Sequence, residues 1–215
     1  YGHNALERNE ISIINNAIDT NIYTFSLKKR IEMRKKLNLG ESLVLGNVGR
    51  LAVQKNQQFL IDVLACIKKT NPNTKLLILG EGQLEKDLKG RATSKGVADD
   101  VIFPGSVPNV ADYLQAMDAF LFPSLFEGLG ISLIEAQAMG LPSFASDTIT
   151  RSVNISGQVR FLPLQSGAES WATEILHHSH EERFSPKNML TQHHYDIANE
   201  ALKLQRFYLK AANND

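Results

Sequence analysis

The chain has 215 residues, of which 43% are apolar, so it is long enough to bury the core of one large domain. Basic and acidic residues balance at 23 each, and the absence of a basic excess argues against nucleic acid as a partner. A single cysteine, Cys66, excludes an internal disulfide framework and fits a reducing compartment. The sequence starts at Tyr1 without a signal-peptide pattern, and we expect it to be a fragment.

The sequence of the first part of the chain is not typical of the start of an independent fold. Ile11–Ile14 is a short strand-like run, and the residues after it are rich in turn formers. A basic helix is predicted over Leu27–Leu39, with Ser26 as its N-cap and Gly40 as its end. Its lysine and arginine residues are typical of a solvated helix face rather than of a membrane patch.

The middle of the chain alternates short apolar runs with amphipathic stretches. Each apolar run is predicted to be a strand covered on both faces. The predicted strands are 43–48, 75–79, 101–103, 119–122, 142–146 and an edge strand at 159–162. The predicted helices are 56–69, capped by Asn56, then 83–95, 110–117, 131–139, 167–178 and 188–212. This alternation predicts an α/β fold with a doubly wound parallel sheet and right-handed crossovers.

The strands at 43–48 and 119–122 are predicted to be neighbours, so that their carboxyl ends form the topological switch point where such sheets bind ligands. Arg50 and Lys55 follow the first of these strands. Arginine offers a bidentate fork to a phosphate and lysine a mobile charge. The alternative is a pair of exposed surface cations.

A glycine-containing turn follows the strand at 119–122 and leads into a helix that starts at Ile131. The free N–H groups and positive dipole end of such a helix favour a phosphate. Glu127 and Glu135 lie on either side of this anion site, and carboxylates accept hydrogen bonds from sugar hydroxyls. A nucleotide-sugar has this order of sugar, diphosphate and sugar. The alternative is a strand–turn–helix with two solvated glutamates.

The spacing of Glu127 and Glu135, with Gly-Leu-Gly between them, resembles the signature of retaining nucleotide-sugar glycosyltransferases of family 4. These enzymes have the GT-B architecture of two Rossmann-like domains. Three further stretches resemble the family's phosphate-binding turn, its base-side loop and the strand after its signature helix: Gly49–Leu51 with Lys55-Asn56, Val101–Gly105, and Gly140–Asp147. Together they cover about residues 40 to 150 in the family's order. The continuation at Ser146–Arg151 resembles enzymes that build bacterial exopolysaccharide or capsule.

The resemblance implies that the chain is the C-terminal, donor-binding domain of a GT-B enzyme. It divides the chain into a residual N-terminal-domain segment at 1–25, a Rossmann-like domain at 26–185 and a helical segment at 186–215. It assigns the catalytic role to Glu127. The donor-binding residues that it implies are Arg50, Lys55, Phe103, Gly128, Leu129, Gly130, Ile131 and Glu135.

The same resemblance implies a nucleotide-sugar donor, with UDP as the commonest carrier, and an acceptor that includes lipid-linked glycans. The acceptor site belongs to the N-terminal domain, so we expect the isolated chain to have little turnover. The sequence contains no Asp-x-Asp pattern, and we predict no metal requirement. The implied location is cytoplasmic, which allows the complete enzyme to lie at the inner face of the membrane.

Two alternatives remain at this point. One is another GT-B enzyme, such as a nucleotide-sugar 2-epimerase or a phosphorylase, which would be distinguished by its products. The other is a nucleotide-binding module without chemistry, which would have no need of Glu127. A Rossmann dehydrogenase is disfavoured because no G-x-G-x-x-G follows the first strand.

Overall fold

The computed structural model describes residues 14–212. The strands are β1 (Leu43–Val48), β2 (Thr74–Leu79), β3 (Val101–Gly105), β4 (Ala119–Phe122), β5 (Ser143–Ser146) and β6 (Val159–Leu162). The α-helices are α1 (Leu27–Lys36), α2 (Gln57–Ile67), α3 (Glu85–Ser94), α4 (Val110–Ala116), α5 (Ile131–Ala138), α6 (Gly167–His178), α7 (Lys187–Gln192) and α8 (Ile197–Ala212). The six strands form one parallel sheet in the order β3-β2-β1-β4-β5-β6.

This order confirms the predicted doubly wound sheet, including the placement of β1 beside β4 and of β6 at an edge. The strands are apolar throughout because both faces of the sheet are covered. Leu45 of β1 belongs to the core cluster under α2, α3 and α6, whereas its neighbour Val44 belongs to the cluster under α4 and α5. The chain order reverses between β1 and β4, so the switch point lies at their carboxyl ends.

Asp118 ties the opposite, amino-terminal edge of the sheet together. Its carboxylate accepts hydrogen bonds from Arg30 at 2.5 Å, from Arg34 at 3.2 Å and from the backbone N–H of Val44 at 2.7 Å. The side chain is only 18% exposed. These contacts give the carboxylate immediately before β4 a structural role at this edge.

We expect Asp118→Ala to lower the free energy of unfolding by about 2–3 kcal/mol, because it leaves two half-buried guanidinium groups without their carboxylate. Urea denaturation of the chain measures this change. The matched control is Glu85→Ala, which breaks the exposed pair with Lys89 and should cost less than about 1 kcal/mol. Equal losses in the two variants would contradict the role given to Asp118.

Several predicted boundaries are wrong, each for a local reason. Helix α1 ends at Lys36 rather than Leu39, because Asn38 already has a left-handed backbone with φ of 52°. Asn56 does not cap α2: its backbone is left-handed, and its amide donates to the carbonyl of Pro123 at 3.2 Å. Strand β3 continues through Gly105 instead of turning at Pro104.

The predicted C-terminal helix is two helices. His194, with φ of 65°, interrupts it, and Tyr195 donates its N–H back to the carbonyl of Leu190 at 2.8 Å. The segment between α7 and α8 then pairs with the start of the described chain, where Ile18 donates its N–H to the carbonyl of Tyr195 at 2.9 Å. Both segments therefore pack beside α5, through the cluster that contains Ile18, Ile134 and Tyr195.

The predicted strand at Ile11–Ile14 lies outside the described residues except for Ile14, which is not in a strand. Helix α8 carries an exposed apolar stripe: Leu202, Phe207, Tyr208 and Leu209 are each about half exposed or more. The division of the chain at residues 25 and 185 remains a prediction.

Candidate functional site

The loops that follow β1 and β4 are joined at the carboxyl edge of the sheet. The carbonyl of Gln54 accepts the N–H of Leu125 at 2.8 Å, and its side-chain amide donates to the carbonyl of Phe126 at 2.8 Å. The amide of Asn56 adds the bond to Pro123. These contacts hold the segment with Arg50 and Lys55 against the turn with Glu127, so the two predicted halves of the site are together.

Lys55 and Glu127 form the central contact of this edge. The ammonium of Lys55 donates to Oε1 of Glu127 at 2.7 Å, and the two side chains are 18% and 7% exposed. Gln54 approaches the second carboxylate oxygen at 3.5 Å. The ammonium also lies 5.2 Å from the centroid of the Phe122 ring, a cation–π distance. Lys55 is thus a largely buried cation that is paired with Glu127, rather than a solvated one.

The start of α5 lies against the same aromatic ring. A side chain at Gly130 would place its Cβ 2.9 Å from the Phe122 ring, so only glycine lets the backbone approach this closely. The N–H of Ile131 donates to the carbonyl of Leu129 at 2.9 Å and is therefore not free. Within residues 14–212, the N–H groups of Gly128, Leu129 and Gly130 have no hydrogen-bond partner. Of the four backbone N–H groups predicted to form the anion site, that of Ile131 is therefore engaged and the other three are available.

Glu135 lies one turn into α5 and is partly buried. Its Oε1 accepts a hydrogen bond of 2.6 Å from the hydroxyl of Tyr23, a residue 112 positions away in the chain. Burial raises the pKa of Glu135, and the Tyr23 hydrogen bond opposes that shift. Burial and the neighbouring carboxylate raise the pKa of Tyr23, so its hydroxyl stays protonated and acts as the donor.

The remaining predicted residues lie at the margins of this edge. Arg50 is exposed and forms no ion pair with any residue in the described part of the chain, and its backbone is held by the Gln57 amide at 3.0 Å. Phe103 lies in the edge strand β3, where its ring packs on the core and beneath the ammonium of Lys89, at 5.7 Å. The structure therefore brings Lys55, Glu127 and the start of α5 together, and within residues 14–212 the side chains of Arg50 and Phe103 form no hydrogen bond or ion pair with them.

Two residues that the sequence did not single out belong to this edge. Gln54 fastens the two loops, and Tyr23 contacts Glu135. Gln54 could have been found from its place beside Lys55. No sequence pattern indicated Tyr23, because its contact with α5 depends on how the segment before α1 packs against that helix.

Among residues 14–212, no group of three or more histidine, cysteine, aspartate or glutamate side chains is arranged to hold a metal ion. None of the helices in this range combines the length and apolar character that crossing a membrane requires.

Comparison with known proteins agrees with this fold. The family model for group 1 glycosyl transferases matches residues 29–189. The putative glycosyltransferase EpsF of Bacillus subtilis is 30% identical over 177 residues, which cover 81% of this chain and 46% of EpsF. Among solved structures, Anabaena HepE in complex with UDP and glucose superposes with a TM-score of 0.75 at 20% identity, over 93% of this chain and 57% of HepE. The C-terminal domain of a group 1 glycosyl transferase, LpcC from Francisella tularensis, superposes with a TM-score of 0.67 at 17% identity, over 84% of this chain and all of that domain.

These matches define an α/β domain of the glycosyltransferase class, with the GT-B type of Rossmann-like fold. The chain belongs to the group 1 glycosyl transferases. It spans less than half the length of the curated relatives it matches. Membership of this family favours sugar transfer over the epimerase, phosphorylase and binding-module alternatives.

Proposed function

We propose that this chain is the donor-binding half of a retaining glycosyltransferase of family 4, which transfers a sugar from a nucleoside-diphosphate sugar to an acceptor hydroxyl. The observation that carries the proposal is the contact between Lys55 and Glu127 at the carboxyl ends of β1 and β4. It joins a cation suited to a diphosphate with a carboxylate suited to a sugar hydroxyl. A bacterial exopolysaccharide or capsule pathway is proposed from the Ser146–Arg151 stretch and from the likeness to EpsF.

The reaction breaks the bond between the anomeric carbon and the diphosphate, so negative charge grows on the leaving oxygen. Arg50, Lys55 and the free N–H groups at the start of α5 would stabilise that charge, because cations and N–H donors directed at a developing anion lower its free energy. Two cations and a helix N-terminus can supply the positive charge that a metal supplies elsewhere. We therefore propose that donor binding is metal-independent.

The two carboxylates would contact the two sugars. Glu127, once Lys55 turns towards the diphosphate, is placed to accept hydrogen bonds from the donor sugar near the reacting carbon. Glu135, about 6 Å along the axis of α5 from its first turn at 1.5 Å per residue, would accept hydrogen bonds from the ribose hydroxyls. Phe103, on the edge strand, would flank the base.

Uracil is the proposed base, since HepE was crystallised with UDP and uracil is the commonest base in the resembling family. The acceptor, for which a lipid-linked glycan is our proposal, would bind to an N-terminal domain of the same enzyme. This chain alone would then bind the donor with little or no turnover. A cytoplasmic location follows from the same proposal, because nucleotide-sugars are made there.

Calorimetric titration of the chain with UDP, GDP and ADP, each with and without magnesium, tests the proposal. We expect UDP to bind most tightly, to the same extent without magnesium, and to bind at least about tenfold more weakly to Glu135→Ala, because a charged hydrogen-bond acceptor is lost. Glu174→Ala, on the exposed side of α6, is the control and should bind like the original chain. Binding of no nucleotide, or binding only with magnesium, would contradict the proposal.

A further inference from the structure

The hydrogen bond between Tyr23 and Glu135 is the feature that the proposed function leaves unexplained. Its 2.6 Å length is that of a charge-assisted O–H···O contact, and it joins the leading segment of the chain to the middle of α5. Glu135 has no other side-chain or backbone hydrogen bond to its carboxylate, and no ion pair, within residues 14–212. A partly buried carboxylate held by one neutral donor is unusual, because burial of a charge is normally compensated by a cation.

The contact occupies one side of the carboxylate and leaves the other open. Oε1 accepts the Tyr23 hydroxyl, whereas Oε2 has no partner in the described chain and is not among its fully buried unsatisfied atoms. Each carboxylate oxygen has two acceptor sites, so both oxygens can still accept from a ligand. Fixing one oxygen also fixes the rotation of the carboxylate, and so the direction in which these sites point.

Tyr23 is itself held in place before any ligand arrives. Its N–H donates to the carbonyl of Asp19 at 3.0 Å, and its ring packs between the core cluster under α5 and the cluster that contains Ile18 and Ile134. Ile18 is in turn paired with Tyr195 and Ile197 by backbone bonds of 2.9 Å. The hydroxyl therefore belongs to a preorganised support for Glu135, built from chain segments outside the α/β core.

We propose that Tyr23 is a positioning residue for Glu135, which orients the carboxylate so that it accepts both hydroxyls of a vicinal diol. This inference rests on the proposed function, in which that diol is the ribose of the donor nucleotide. A cation in the place of Tyr23 would neutralise Glu135 and compete for its oxygens, whereas a neutral hydroxyl orients the carboxylate and leaves its charge available to the ligand. Burial raises the pKa of Glu135, and the same bond opposes that rise, which favours the ionised acceptor.

The test compares UDP with 2′-deoxy-UDP by calorimetry in the original chain and in Tyr23→Phe, which removes one oxygen and keeps the packing of the ring. We expect the original chain to prefer UDP about tenfold to a hundredfold, the effect of a hydrogen bond to a charged group. In Tyr23→Phe that preference should fall about three- to fivefold, the effect of freeing the rotation of one side chain. The affinity for 2′-deoxy-UDP should fall less than the affinity for UDP, because only the 3′-hydroxyl is left for the carboxylate to bind.

The pH dependence gives a second readout that a purely structural role would not move. Ribose recognition needs the ionised carboxylate, so the preference for UDP falls when Glu135 is protonated at low pH. Without the Tyr23 donor, the pKa of Glu135 rises further under the effect of burial, and the fall should occur at higher pH than in the original chain.

Tyr195→Phe is the matched control, because Tyr195 is buried in the neighbouring cluster and its hydroxyl makes no hydrogen bond within the described chain. It should leave the preference unchanged. A second variant, Tyr23→Leu, also removes the hydroxyl and keeps an apolar side chain, and it should lower the preference in the same way if Tyr23→Phe does not fold. Equal weakening of UDP and 2′-deoxy-UDP in Tyr23→Phe would overturn the inference and leave the proposed function standing. Failure of the original chain to bind any nucleotide would overturn both.

Discussion

Replacing Arg50 and Lys55 together by alanine is expected to weaken the binding of UDP about a thousandfold, because two charge-assisted contacts to the diphosphate contribute roughly 2 kcal/mol each. The affinity for uridine, which has no diphosphate, should stay within about twofold, the range of a surface substitution. Calorimetric titration of the double variant with both ligands measures this difference. Arg50 is exposed and Lys55 is partly buried against Phe122, so the lysine should contribute more than the arginine.

Lys55 has a second effect that strengthens this expectation. Its ammonium is the cationic partner of Glu127, whose side chain is only 7% exposed. Removal of Lys55 leaves that carboxylate uncompensated in front of the incoming diphosphate, so repulsion adds to the lost attraction. Lys55→Ala alone should therefore lose more than half of the effect of the double variant.

The control removes the same charge from the opposite edge of the sheet. Lys35→Ala together with Lys36→Ala changes the net charge equally, but these residues lie in the last turn of α1, beside Arg34, which contacts Asp118 at the amino edge of the sheet. The affinity for UDP should change little at physiological salt, where charges more than about 8 Å apart are screened. Equal weakening of UDP and uridine in the Arg50 and Lys55 variant would refute their assignment to the diphosphate.

Much of the fold could be predicted from the sequence because burial on both faces leaves a simple pattern. The four apolar residues of β4 and the run of β1 admit no helical periodicity, and the structure places every side chain of β4 in the core. The turn after β4 could also be predicted, because its glycines mark it in the sequence. The structure shows that Gly130 has to be glycine to lie against the Phe122 ring. Both features depend on neighbours in the sequence or on burial alone.

The features that sequence patterns missed depend on distant parts of the chain. Asn56 has the residue type of a helix cap, yet the loop after β4 captures its amide through Pro123. The break at His194 is fixed by pairing of the next residues with Ile18, which lies at the other end of the chain. At each of these positions the local sequence preference predicts one conformation, and a tertiary contact stabilises a different one.

The candidate site shows the same division. Glu127, Glu135, Arg50 and Lys55 could be singled out because their residue types and strand-end positions suit a nucleotide-sugar. The ion pair between Lys55 and Glu127 could not be predicted, because the spacing of residues along the chain does not show which cation contacts which carboxylate. Sequence patterns also do not show that the side chain of Arg50 is exposed and that of Glu127 is buried.

Glu127→Gln, made in a protein that joins this chain to an acceptor-binding domain, is expected to lower turnover about a thousandfold, the effect of removing one preorganised electrostatic contact at a reacting centre. The amide keeps the size of the side chain and can still accept a hydrogen bond from Lys55, so the loops after β1 and β4 should remain joined. The neutral amide also releases Lys55 from its ion pair. UDP should therefore bind at least as tightly as before.

A combination of lost turnover and retained or tighter UDP binding distinguishes an enzyme from a nucleotide-binding module. In a module, Glu127 serves only to hold Lys55, and its replacement would change UDP affinity with no chemistry to lose. The matched control is Glu85→Gln at the start of α3, an exposed carboxylate paired with Lys89, which should leave turnover within about twofold. Turnover of Glu127→Gln at the original rate would contradict the catalytic role given to Glu127, because the variant keeps the size of the side chain and loses only its charge.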